Sequence, residues 1–314
     1  MSKNPNEKFK SKIGGQALIE GVMMRGPETI AMACRLPSGE IEVETESVKW
    51  GKNPPWYRKV PFIRGSINFA TSLMDGYKYL TKSAEKQGEF DEDELSPFEK
   101  KLAGIFGDKL MKAVSFAAII VGTVLSILLF MYLPMLATRL MGDTLQTSFV
   151  KTLVEGVIKI IIFILYLAAT SRLSEMKRTY EYHGAEHKTI ACYEAGEELT
   201  VENVKRYSRF HPRCGTSFII IVLIVSILVF SVVTWKTLLM RIILKIALLP
   251  VVCGIAYELI RLAGKYDNFA TRILSAPGLA LQRLTTREPD DSQIEVAIAA
   301  LKPCIPENRN EDRW

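Results

Sequence analysis

Histidine is the scarcest reactive residue of this chain, and every copy falls within one short window. The 314 residues contain only His183, His187 and His211. The five cysteines are scattered and never spaced as Cys-x-x-Cys, which gives little support to a zinc ribbon, an iron–sulfur cluster or a disulfide framework. The chain also lacks a glycine-rich phosphate loop, a nucleophile elbow and any nucleic-acid-binding motif. These absences point to the histidine window as the chemical site and predict no nucleic-acid partner.

Hydropathy predicts a membrane protein. The first twelve residues are polar and basic and no apolar core region follows them, so no cleavable signal peptide is expected. Residues 113–138 and 215–235 carry no charge, and each run exceeds the roughly 20 residues that a helix needs to cross a bilayer. Residues 149–173 and 237–260 are also apolar but are charged near their beginnings. We expect four transmembrane helices in two hairpins, with the lipid bilayer as a partner.

The charged residues of the two weaker spans come in pairs four positions apart. Glu155 and Lys159 begin one span, and Arg241 and Lys245 begin the other. Long side chains near a helix end can extend to the membrane surface, so we expect these groups to reach the interface.

Basic residues predict the orientation of the spans. Eight lysines and arginines lie between residues 172 and 213, and four lysines precede the first span. The positive-inside rule therefore places both termini and the histidine loop in the cytoplasm, with the spans in the inner (cytoplasmic) membrane. Unpaired cysteines agree with that reducing compartment.

The region before the spans is expected to be small and β-rich. Two alternating segments flank the turn residues 37–39, which predicts a hairpin. The glycine-rich residues 14–27 are read either as a strand with tight turns or as a loop that faces the site. Residues 61–87 have the pattern of an amphipathic helix on the protein or the membrane interface, and residues 88–101 that of a charged linker.

The first two histidines are predicted to share one helix face. Residues 174–194 contain no proline, and Gly196 supplies a stop signal. Residues four apart on a helix are neighbours, so His183 and His187 can bind one divalent metal ion, for which zinc is the best candidate. Glu186 is adjacent to them and is the candidate general base. This His-x-x-Glu-His spacing is that of inverted zincin peptidases, a local analogy only, because those enzymes are much larger.

A third protein ligand would leave one open position for water, as a catalytic zinc site requires. His211 is the natural candidate, and Cys214 is the alternative because a thiolate also suits zinc. Glu20 and Glu258 are weaker candidates as ligands or site acids, and pairing or capping is the simpler role for both.

Three other interpretations remain open at this stage. The histidines could hydrogen-bond phospholipid headgroups without binding a metal. A metal site could serve a non-catalytic membrane module that anchors a partner. A transporter is disfavoured because the spans lack charges at mid-membrane. If the site is catalytic, we expect hydrolysis of a membrane peptide or a lipid-linked molecule by metal-activated water, and the oligomeric state is left open.

Several long motifs resemble one bacterial family. They are Gly14–Pro27, Tyr182–Lys188, His211–Thr216, Pro277–Pro289 and Glu295–Leu301. Together they make the chain similar to the YqhQ family, a domain of unknown function, over residues 13–301. The resemblance implies a multi-pass membrane protein described as a predicted metal-dependent enzyme without an established substrate.

The sequence therefore predicts a mainly α-helical integral membrane protein with about four spans, a small N-terminal β-rich cytoplasmic region and a cytoplasmic histidine-bearing helical loop. The expected segments are a β-rich region (1–60), an amphipathic helix and linker (61–112), a first hairpin (113–171), the histidine loop (172–214), a second hairpin (215–260) and a C-terminal cytoplasmic segment (261–314).

Overall fold

A computed structural model describes residues 9–49, 55–88, 108–142, 147–233, 238–266, 268–309 and 311–313. From residue 89 onward, the predicted charged linker lies outside the described residues.

The N-terminal region is a four-stranded antiparallel sheet in which every strand pairs with its neighbour in sequence. Its strands are β1 (Gly14–Leu18), β2 (Gly21–Arg25), β3 (Thr29–Arg35) and β4 (Ile41–Ser47). The predicted β-rich region and its hairpin are thereby confirmed. The glycine-rich stretch forms β1 and β2, so it is regular strand and tight turn rather than open loop.

Helices cover both faces of this sheet. The α1 helix (Ile63–Lys86) packs on one face, and α5 (Ser174–Ala195) and α10 (Asp291–Leu301) pack on the other. Because β2 and β3 are sandwiched, both strands are apolar along nearly their whole length rather than alternating. The sheet core therefore joins segments from the beginning, the middle and the end of the chain.

The edge strand β4 meets α1 through charges instead of apolar side chains. Its three glutamates, Glu42, Glu44 and Glu46, form ion pairs with three lysines spaced four apart on α1: Lys78, Lys82 and Lys86. The predicted amphipathic helix over 61–87 is confirmed, and one flank of it is fixed to the sheet edge by this ladder.

In the part of the chain that the structure describes, four helical segments are long and apolar enough to cross a membrane: Ala117–Leu140, Phe149–Thr170, Gly215–Val232 and Ile243–Lys265. They belong to α2 (Asp108–Ile127), which continues through a single π-helical turn into α3 (Leu133–Leu140), and to α4 (Ser148–Thr170), α7 (Gly215–Val232) and α8 (Leu238–Lys265). The helix α7 packs against both α4 and α8. The expectation of four apolar helices of membrane-spanning length is confirmed.

One expectation about the spans needs correction. Glu155 of α4 and Lys245 of α8 were expected to extend to the membrane surface, but they meet each other, with Nζ 3.3 Å from Oε1. Their side chains are only 8% and 14% exposed. A buried charge is tolerated when it is paired, so this contact joins the two hairpins inside the bundle.

The remaining helices connect the spans to the sheet layer. A short helix, α6 (Val201–Lys205), precedes α7, and α9 (Phe269–Thr285) packs along α7 with Gly278 against Ser217. Gly65 of α1 lies against Gly254 and Tyr257 of α8, where a Cβ would come within 2.6 Å of the tyrosine Cβ. The small residues allow the helices to approach closely.

A third close approach holds α5 against the segment that follows α9. The backbone N–H of Arg287 donates to the carbonyl oxygen of Tyr180 at 2.8 Å. A Cβ at Gly184 would lie 2.0 Å from the carbonyl oxygen of Arg287, so only glycine fits there without a shift of the backbone.

We predict that Gly184→Ala destabilises the protein although alanine is the better helix former. Forcing a methyl group against backbone should cost about 1–3 kcal/mol, which exceeds the gain of up to about 1 kcal/mol in helix propensity. Thermal unfolding in detergent measures the effect. The matched control is Gly122→Ala in α2, where a Cβ meets nothing within 4 Å. Equal melting temperatures for the two variants would contradict the packing argument.

Candidate metal centre

The centre is built on α5, which presents His183 and His187 one turn apart. The helix spans Ser174–Ala195 and ends at Gly196, whose φ of 78° is the left-handed conformation of a glycine stop. The two imidazole centroids are 4.4 Å apart. The predicted helix, its stop signal and the shared histidine face are therefore present.

Backbone carbonyls orient both imidazoles. The Nδ1 atom of His183 lies 2.8 Å from the carbonyl oxygen of Thr285, and that of His187 lies 2.6 Å from the carbonyl oxygen of Arg209. Because a carbonyl can only accept, each Nδ1 carries a proton and each Nε2 is turned toward the interior of the centre. The same arrangement orients histidine ligands in metal sites.

Cys214 brings a sulfur atom to the same place. It caps the N-terminus of α7, where its Sγ accepts from the backbone N–H of Thr216 at 3.4 Å. Its Sγ is 3.1 Å from Nε2 of His183. One ligand atom from each of His183, His187 and Cys214 lies within 4.8 Å of the other two. The structure thus brings together three of the four predicted ligands.

His211 is close but lies outside this set. Its ring rests against His187 at a centroid distance of 5.4 Å, and its Nε2 lies 3.2 Å from the guanidinium of Arg213. Its backbone is held from both sides by Gln282, whose amide accepts from the N–H at 2.8 Å and donates to the carbonyl at 2.7 Å. The arrangement favours Cys214 over His211 as the third ligand. His211 instead packs against the ring of His187.

Glu186 is buried beside the cluster. Its Oε1 accepts from the backbone N–H of Gly15 at 3.0 Å, and its Oε2 is 4.0 Å from Nε2 of His183. Gly15 lies in β1, so the glycine-rich stretch faces the site while it forms a strand. A Cβ there would come within 3.0 Å of the Glu186 side chain and 2.5 Å of a carbonyl oxygen, which explains the glycine.

The charges of the centre are strongly coupled. Burial alone would raise the pKa of Cys214, but the adjacent imidazoles outweigh burial and hold that pKa well below its usual value. Burial likewise opposes protonation of His183, yet the Cys214 thiolate raises the pKa of this histidine to about 9. Burial lowers the pKa of His211, with Arg213 adding to the effect, and raises the pKa of Glu186.

The donors fit a thiophilic divalent cation. The Nε2 of His187 is buried and makes no hydrogen bond within the described part of the chain. A buried imidazole nitrogen without a hydrogen-bond partner is costly unless something binds it. Nitrogen and sulfur together suit zinc, and three protein ligands leave a fourth position free.

Glu20 and Glu258, the two weaker candidate ligands, form ion pairs away from the histidine–cysteine cluster. Glu20 forms an ion pair with Arg178 and accepts from the Tyr182 hydroxyl at 3.1 Å. Glu258 is paired with Arg64 of α1, with a shortest distance of 2.5 Å. The structure brings neither carboxylate into the ligand set.

Sequence reasoning missed the groups that orient the ligands. The carbonyls of Thr285 and Arg209 and the N–H of Gly15 belong to the backbone, so no side-chain pattern identifies them. Gln282 could have been noticed as a lone amide inside a mostly apolar helix. The C-terminal motif that contains it was singled out only through the family resemblance.

Comparisons with known proteins agree with that resemblance. The family model described as "Protein of unknown function (DUF1385)" matches residues 60–307. The "Uncharacterized protein YqhQ" of Bacillus subtilis (strain 168) is 37% identical over 296 residues, which cover 93% of this chain and 92% of that protein. No solved structure matches the chain significantly. The predicted resemblance is confirmed: the chain belongs to the DUF1385 family and is similar over nearly its whole length to this YqhQ protein.

Proposed function

We propose that this protein is a membrane-bound hydrolase that depends on a zinc-type metal ion. The observation that carries the proposal is the convergence of one imidazole nitrogen from each of His183 and His187 with the Sγ atom of Cys214, all within 4.8 Å of one another. Both imidazoles are already oriented from behind by carbonyl oxygens, so the ligands are preorganised.

The number and type of ligands support catalysis over a purely structural site. Structural zinc is held by four protein groups, whereas catalytic zinc keeps a position open for water or substrate. A bound metal would supply Lewis-acid activation of water in this centre. The buried thiolate and imidazoles supply a dry, charged environment in which such activation is effective.

Glu186 is suited to act as the general base that takes a proton from the attacking water. It lies next to the ligands, is buried, and keeps one oxygen toward His183 while the Gly15 N–H holds the other. Burial raises its pKa, which brings the carboxylate closer to the working range of a general base at neutral pH. The N–H of Gly15 orients the Glu186 carboxylate through one oxygen and leaves the other oxygen available.

The location of the centre supports a substrate of the membrane. Cys214 immediately precedes the apolar helix α7, and Ser171, which follows α4, accepts from Arg287 of the segment that touches α5. The ligands therefore lie at the end of the spans. The basic residues of the histidine loop favour the cytoplasmic side of the inner membrane. A membrane peptide and a lipid-linked molecule both fit this position.

Metal content tests the ligand set. We expect wild-type protein, purified after zinc supplementation and dialysis, to carry about one zinc per chain. Cys214→Ser and His183→Ala should each weaken zinc binding by about 100-fold or more, because each removes a ligand atom. His211→Gln is the control and should keep stoichiometric zinc. Loss of metal in His211→Gln but not in Cys214→Ser would exchange the roles of these two residues. A folded wild type that binds no divalent metal would overturn the proposal.

Glu186→Gln tests catalysis separately from binding. The amide keeps the size of the side chain but cannot accept a proton, so the variant should bind zinc as the wild type does and lose activity by about 100- to 10,000-fold. Hydrolysis products released from bacterial membrane extract in proteoliposomes can be followed by mass spectrometry. If Glu186→Gln releases every product that the wild type releases, the non-catalytic metal-binding module is the better description.

A further inference from the structure

The helix α1 carries an apolar stripe that the protein itself does not cover. We call it the outer face of α1, and it consists of Ile63, Leu73, Met74, Tyr77 and Leu80. Their exposed fractions run from 40% for Leu80 to 74% for Met74. Leu73, Tyr77 and Leu80 follow at intervals of four and three, Met74 is three residues before Tyr77, and Ile63 is fourteen residues before it. The side chains therefore lie along one side of the helix. The opposite side, with Gly65, Gly76, Tyr79 and Ser83, is buried.

The segment before α1 has the composition of a membrane interface. Trp56 stands in a short 3₁₀ turn and is 73% exposed, and Lys59 beside it is also exposed. Tryptophan and lysine are the residues that anchor protein at the level of lipid headgroups. Phe62, at the beginning of α1, is 53% exposed and continues the apolar surface.

This surface is continuous with the apolar spans. Near its N-terminus α1 packs on α8, through Gly65 against Tyr257 and through the Arg64–Glu258 ion pair. One turn further along, the Phe69 ring lies 5.2 Å from the ring of Phe218, in the first turn of α7. The outer surfaces of the spans are themselves apolar and exposed, as at Leu165 with 63%. The apolar surface of the spans therefore continues onto α1, and the same environment contacts both.

We propose that the outer face of α1 is immersed in the lipid leaflet at the histidine end of the spans. An amphipathic helix binds there with its apolar side in the acyl region and its polar flank in the headgroup layer. The polar flank is the lysine ladder that pairs with β4, which lies on the sheet side and away from the stripe. Lipid explains the stripe better than a second copy of the chain, because the stripe merges with surfaces that lipid must cover.

This position has a consequence for the metal centre. The side-chain amide of Gln16 contacts Gly76 of α1, with Nε2 3.5 Å from the carbonyl oxygen. The preceding residue, Gly15, donates to Glu186. A helix lying in lipid is therefore connected to the candidate base through two adjacent residues of β1, and the centre is held at the membrane surface. The inference does not depend on whether the centre binds metal.

Photo-cross-linking in native membranes tests the immersion of α1. Benzoylphenylalanine is introduced in place of Met74 and, in a second variant, in place of Tyr77; both side chains are exposed, so folding should be preserved. Leu165 in α4 is the lipid-facing control, and Ser38 in the polar hairpin turn is the aqueous control. After irradiation, intact-mass analysis distinguishes a phospholipid adduct from a cross-linked dimer.

We expect phospholipid adducts at positions 74 and 77 with yields within about twofold of position 165, and none at position 38. A cross-link between two copies would overturn the proposal and identify the outer face of α1 as a subunit interface. Absence of any adduct at both positions, with adducts still formed at position 165, would show that the stripe faces water and would overturn it as well. Neither result would bear on zinc binding, which the ligand variants test independently.

Discussion

Two hydrogen bonds from imidazole to backbone carbonyl determine the geometry on which the centre depends. A histidine ring that is free to rotate presents either nitrogen to a neighbour, whereas a ring bound at Nδ1 presents only Nε2. The acceptors are available for a simple reason. Thr285 is the last residue of α9, where helix carbonyls have no partner within the helix, and Arg209 stands in the non-helical connection before α7. Each imidazole satisfies an acceptor that would otherwise require water.

The helix α5 packs on two parts of the protein, the apolar core of the sheet and the segment that follows α9. On one side it contributes to the apolar core of the sheet with residues such as Tyr182 and Ile190, which are fully buried. On another it meets the segment after α9 at Gly184, so closely that no side chain fits. Packing on both sides leaves the helix little freedom to shift. His183 and His187 are consequently held in place by the sheet core, although they lie at the end of the long apolar helices.

Features that depend on local pattern could be predicted from the sequence. Long apolar runs, two of them uncharged, identified the spans. Turn residues 37–39 identified the hairpin, and the spacing of His183 and His187 placed them on one face of a helix. Features that depend on which elements meet could not be predicted. The sequence favoured His211 over Cys214 because histidine is the commoner metal ligand, but only the fold shows that the end of α7 brings the sulfur within reach.

The ion pair between Glu155 and Lys245 could not be predicted for the same reason. Both charges lie near helix ends, where extension to the membrane surface is ordinarily the cheaper solution. The neighbouring span offers each of them a partner instead, and neither the spacing nor the composition of a single span contains that information. In the same way, the C-terminal helix α10 joins the sheet that residues 14–47 form, although its sequence shows only an apolar helical segment.

The carbonyl that orients His183 also sets an order of assembly. The histidine and its acceptor, Thr285, are 102 residues apart, and both spans of the second hairpin lie between them. During synthesis the histidine helix therefore emerges well before the carbonyl group that orients His183. Until α9 is complete and in place, the His183 imidazole lacks the carbonyl that orients it, whereas His187 and Cys214 already have the groups that hold them. The complete arrangement around His183 therefore forms only after the chain has been made as far as Thr285.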